Sequence, residues 1–190
     1  MPQIAMIAAK HTGAMRFLAG ARRAFVALSF LPCVLALAQP AVSEPALKAA
    51  IVFTLAKFTE WPALQQPTDA LSLCVVASGE QMNVAFSALD SKLVQGHPLR
   101  VRSLHARDEL TGCHIVFTST APPRVVQGRL IVGDAPRFAE TGGMVGLVTV
   151  NERIQLEVNV NVAANAGLKF SSQLLRLARV VGEPALKAGG

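Results

Sequence analysis

The stretch MVGLVTVNERIQLEVNV, Met144–Val160, decides the fold. Asn151-Glu152 is a two-residue hairpin candidate between Met144 to Val150 and Arg153 to Asn159, because short polar pairs at this position adopt the turns that suit twisted strands. After the turn, Ile154, Leu156, Val158 and Val160 alternate with Gln155, Glu157, Asn159 and Asn161. That is one apolar and one wet face, the pattern of an antiparallel pair near a sheet edge. Upstream the pattern differs. Leu71 to Val76 (LSLCVV), His114 to Thr118 and Arg129 to Gly133 are continuous apolar runs, which read as strands buried on both faces. Leu99 to Leu104 alternates with arginines, so one of its faces meets solvent.

Helical segments separate these runs. Ser43-Glu44-Pro45 is a helix start, a capping residue followed by proline in the first turn. Leu47, Ile51, Leu55 and Phe58 recur at helical spacing with Ala50 and Thr54 beside them, and Lys48 lies off that stripe. The helix is expected to stop near Glu60, because Trp61 precedes Pro62 and a pre-proline residue is driven out of the α region. Short helices are expected over Glu80 to Leu89 and Pro136 to Glu140, the second stopped by Gly142-Gly143. Ser171 or Ser172 caps a long C-terminal helix with Leu174, Leu175, Ala178 and Val181 as its buried stripe. The expected fold class is therefore α/β. It is a mixed, mostly parallel sheet flanked by helices, with a C-terminal β-hairpin and a long C-terminal helix.

The chain ends help to place the protein. Arg22 and Arg23 precede the apolar stretch Ala24 to Ala38, which closes on the small-residue sequence Ala36-Leu37-Ala38. This is the layout of a cleavable secretory signal. The stretch contains Pro32 and is shorter than the roughly 20 residues a membrane span needs. The domain expectation is a signal peptide over 1–38 and a single α/β domain over 39–190, exported from the cytoplasm. The formal charge of +6 falls to +2 once Lys10, Arg16, Arg22 and Arg23 are set aside, since no acid precedes residue 38. No basic stripe remains to neutralise phosphates, so no nucleic-acid partner is expected. Beyond the signal only Cys74 and Cys113 remain. In an oxidising compartment an even pair reads as a disulfide, with two buried thiols as the other reading.

The sequence holds no recognisable catalytic constellation. It has neither a G-x-S-x-G elbow nor a phosphate-binding glycine loop. His97, His105 and His114 do not have the spacing of a helical metal site, and no cofactor or metal is expected. Asp134, after a buried strand, sits where open α/β sheets form ligand crevices. Capping of the next turn is the blander reading of the same residue.

Six blocks occur in a fixed order: KFTEWP from Lys57, LCVVASGE from Leu73, GHPLRVRSL from Gly96, GCHIVFTS from Gly112, FAETGGMVGLV from Phe138 and AGLKFSSQLLRLARVV from Ala166. Together they resemble the YfiR-like family of periplasmic proteins, over roughly Leu47 to Val181. The resemblance implies a non-enzymatic repressor with an α/β fold that dimerises. It binds the periplasmic sensor domain of an inner-membrane diguanylate cyclase and lowers cyclic di-GMP synthesis and biofilm formation. It also implies relief of repression by an OmpA-like outer-membrane lipoprotein. Cys74 and Cys113 match one family disulfide; a second pair found in some members is missing here. Ile51 and Phe53 stand where the first helix of other members often has tyrosines.

The alternative is a periplasmic small-ligand-binding protein, with Asp134 in its crevice. Phe53, Phe58 and Trp61 at the first helix, Asp134, and Met144 in the Gly142 to Val150 segment are the candidate partner- or ligand-binding residues. Phe58 and Trp61 are also expected to pack the first helix onto the sheet.

Overall fold

The computed structural model describes residues 42–61, 69–76 and 78–182. The expected signal, 1–38, lies outside the described residues. Helix α1, Glu44–Lys57, starts at Ser43, whose hydroxyl accepts from the Ala46 N–H at 3.4 Å. It ends before the expected limit, because Thr59–Glu60 forms a short strand, β1. Strand β2 is Leu71–Val76, helix α2 Glu80–Ser87, strand β3 Leu93–Val94 and strand β4 His97–Leu104. The buried strands β5, Ile115–Thr118, and β6, Leu130–Gly133, follow. Strands β7, Val145–Val150, and β8, Arg153–Asn159, form the hairpin read from the sequence. Asn151 and Glu152 have φ of 49° and 60°, the left-handed pair whose twist matches the flanking strands.

The chain then departs from expectation. Strand β8 ends at Asn159 as expected, but the alternating pattern that runs on through Val160 gives way to a helix not read from the sequence, α3, Val160–Asn165, which the Asn159 side chain caps by accepting from the Val162 N–H at 3.1 Å. Strand β9, Lys169–Phe170, pairs antiparallel with β1. Among the described residues there is no long C-terminal helix. Helix α4, Ser172–Leu175, is a single turn capped by Ser171, and β10, Arg179–Val181, follows it. The edge of β8 offers main-chain partners, the β-branched Val180 and Val181 suit a strand, and the Arg179 guanidinium binds the buried Glu157 carboxylate. Together these outweigh the helical spacing of the apolar residues.

The main sheet has eight strands in the order β10-β8-β7-β6-β5-β2-β4-β3. Pairing is parallel from β4 through β2, β5 and β6 to β7, and again between β8 and β10. It is antiparallel in β7–β8 and β3–β4. The sheet is thus mixed, and the core lies between it and α1 and α2. Val52, Leu55 and Ala56 of α1 belong to one buried cluster with Leu73, Ile115 and Phe117. Phe86 of α2 stacks on Phe117 at 4.6 Å between ring centroids.

A smaller cluster holds Val76, Val116 and the Cys74–Cys113 disulfide. The helix expected over Pro136 to Glu140 is a run of turns instead. The Phe138 ring is buried there between Gly133 and Gly143, where an added Cβ would stand 2.3 and 2.2 Å from it.

Candidate functional site

The position of α1 determines which of its faces remains available. Its sequence is apolar nearly all round, so periodicity alone does not choose a buried face. The buried positions are Lys48, Ala49, Val52, Leu55 and Ala56. The stripe read as core is therefore turned outward apart from Leu55. Leu47 is 41% exposed, Ile51 is half-buried and Thr54 is exposed.

Lys48 explains the rotation. Its ammonium reaches inward to the Asp134 and Glu44 carboxylates, each at 2.7 Å. Burial alone disfavours the Lys48 charge, but hydrogen bonds to the two carboxylates more than compensate and raise its pKa. Hydrogen bonds from Lys48 and Thr149, together with the charge of Lys48, hold the Glu44 carboxyl below its usual range.

The outward stripe forms one wall of an open apolar groove of about 560 Å³. Leu47, Ile51 and Thr54 of α1 face Ile154 and Leu156 of β8 across it. Leu174 and Leu177 close one side, and Leu177 is 83% exposed at the lip. The lining has a single charged residue, Arg179. A second trough lies on the other flank of α1, against Val84, Ala85 and Lys92. Both are lined mainly by apolar side chains.

The candidates read from the sequence do not form one cluster. Phe53 is half-buried on α1, with the Lys57 and Lys92 ammonium groups 5.7 and 5.8 Å from its ring centre. Phe58 is 36% exposed just after the helix. Trp61 is half-buried against the main core, and its indole N–H donates to the Ala56 carbonyl at 3.0 Å. The ring thus pins the helix exit. Asp134 is occupied by Lys48, so the strand-end crevice presents no free carboxylate. Met144 is fully buried and contributes through packing.

The histidines are dispersed. His97 lies beside the Asp69 carbonyl, His105 beside Asp108, and His114 Nδ1 accepts from the Ser72 N–H at 3.1 Å. Burial first, and then the nearby Arg129 charge, push the His114 pKa down. Among the described residues no group of three or more His, Cys, Asp or Glu is placed to hold a metal ion. No helix among them is long and apolar enough to cross a membrane.

The groove residues went unrecognised as a site because an apolar helical stripe has the same sequence whether it faces a core or a partner. Lys48, which lies off that stripe, is buried instead, and its carboxylate partner Asp134 is too distant in the chain for the helical period to reveal.

The YfiR/HmsC-like family model matches residues 45–179. The chain belongs to the YfiR/HmsC-like family. No curated protein matches it. The family region runs from the first turn of α1 to the first residue of β10, so all of the groove lining lies inside it.

Proposed function

We propose that this protein is a non-enzymatic periplasmic regulator, exported by cleavage of its first 38 residues and folded as a single domain over 39–190. It binds the sensor domain of an inner-membrane diguanylate cyclase and represses cyclic di-GMP synthesis and biofilm formation. The observation that carries this reading is the open apolar groove on a chain of the YfiR/HmsC-like family. Repression requires the protein to bind the inactive state of the cyclase more tightly than the active one, since equal affinity shifts nothing. Apolar anchors with an exposed aromatic nearby are the groups that dominate such interfaces. Leu47, Ile51 and Leu177 supply the first, and Phe58 the second. An OmpA-like outer-membrane lipoprotein would relieve repression by competing for the protein, and a homodimer is the expected resting form.

Co-purification tests the reading directly. The mature protein should retain the periplasmic domain of a cyclase encoded beside it, and Leu177→Asp should weaken that retention while leaving the melting temperature unchanged. Failure of the wild-type protein to retain any such domain sinks the proposal. The ligand-binding reading has one observation in its favour, a groove volume in the range of about 300–1,000 Å³ that small molecules occupy. It predicts a rise in melting temperature with a specific apolar metabolite, and a broad screen without any shift counts against it.

A further inference from the structure

The floor of the groove is an open strand edge. Strand β10 pairs only with Glu157–Asn159 of β8. Among the described residues nothing pairs with the outer edge of β8 from Arg153 to Leu156. The hairpin register assigns the main-chain groups. Val150 and Arg153 flank the two-residue turn and form a hydrogen-bonded pair, after which bonded and non-bonded pairs alternate. Arg153 and Gln155 therefore spend their N–H and C=O groups on β7. Ile154 and Leu156 turn theirs outward, as Val158 does toward β10. The side chains of Ile154 and Leu156 line the groove beside this edge.

We propose that the groove takes an extended segment of the partner protein, which adds as a strand to β8 at Ile154–Leu156. The proposal rests on the regulator reading for the partner's identity, but the mode of binding is argued from this edge alone. Strand addition joins main-chain hydrogen bonds to pockets for alternate side chains, and here the apolar trough accompanies the open edge. The chain's own β10 already uses the adjoining stretch of the same edge in this way.

Charge sets the chemistry of the segment. Exposed Arg153 stands at one end of the edge without an acidic partner among the described residues, and no acid lines the groove. The segment is therefore apolar at alternate positions and acidic at the end that meets Arg153. Unprotected edges of this kind are ones that proteins normally blunt or cover.

The first test uses the mature wild-type protein with the bound cyclase sensor domain and reads amide hydrogen exchange. The Ile154 and Leu156 amides should become protected on binding, while the Gln155 amide, already bonded to β7, should change little. Binding without protection at Ile154 and Leu156 overturns strand addition and leaves the regulator reading intact. Proline substitution supplies a second readout, because proline is tolerated at an edge where its missing N–H faced outward. Ile154→Pro should weaken binding at least about tenfold more than Ile154→Ala, which removes the side chain alone. Equal losses would show that only the side chain matters and would overturn the proposal.

If the sensor domain does not bind, the regulator reading fails, and a synthetic peptide decides the edge. The peptide Glu-Val-Thr-Val-Thr-Val-Glu should slow exchange at Ile154 and Leu156, and its alternately N-methylated analogue should not. No effect of the unmodified peptide at saturating concentration overturns the proposal.

Discussion

Breaking the Cys74–Cys113 bond is expected to have a large effect on stability and a small one on the native structure. Cys74 lies in β2, and Cys113 just precedes β5, which pairs with β2 in parallel. The bond therefore joins segments that the sheet already holds together, and its main effect falls on the unfolded chain. The linked residues are 39 apart in sequence, and a closed loop of about 40 residues corresponds to about 4 kcal/mol of lost unfolded-state entropy. For a chain of this size, that lowers the melting temperature by about 10 °C. Reducing the wild-type protein isolates the bond, because both sulfur atoms remain in place.

Cys74→Ser should cost more than reduction, since Cys74 is fully buried and the new hydroxyl would lie beside Val76 and Val116. The assay is urea unfolding followed by Trp61 fluorescence, with oxidised and reduced protein side by side and the thiol state confirmed by mass. Coincident curves for fully oxidised and fully reduced protein would refute the entropic argument. A reduced protein that has lost its native sheet would refute the claim that the bond acts on the unfolded chain.

Gly143→Ala should destabilise the protein by about 1–3 kcal/mol, because the added methyl would overlap the enclosed Phe138 ring; chemical denaturation measures it, and an unchanged midpoint would show that the ring moves freely. Stability should also fall as pH drops below the ordinary histidine value of 6.5. His114 has a lowered pKa in the folded state, so its contribution is fully present above the unfolded value and is lost as pH falls through the folded one. His114→Gln, measured across the same range, should flatten that part of the profile, and an unaltered slope would assign it to other groups.

Features set by nearest neighbours were legible in the sequence. The Ser43 cap, the Asn151-Glu152 turn and the buried runs that became β2, β5 and β6 all depend on residues close in the chain. Features set by distant partners were not. The segment after Ser171 has the spacing of a helix, yet it leaves that state for the edge of β8 and the Glu157 carboxylate. Hydrophobic period does not encode those partners.

The candidate site was hidden for the same reason. Leu47, Ile51 and Leu55 recur at helical spacing and Lys48 lies off their stripe, but α1 is apolar nearly all round and its period does not choose the buried face. A charged lysine is costly to bury unless carboxylates meet its ammonium. One is local, Glu44; the other, Asp134, lies 86 residues away. That pair turns the Lys48 face inward, and the displaced stripe is left to line the groove with β8. The groove thus adjoins the face of α1 that the Lys48–Asp134 ion pair holds against the core. Asp134, a candidate ligand contact by its place after a buried strand, is instead the group that holds Lys48 and does not line the groove.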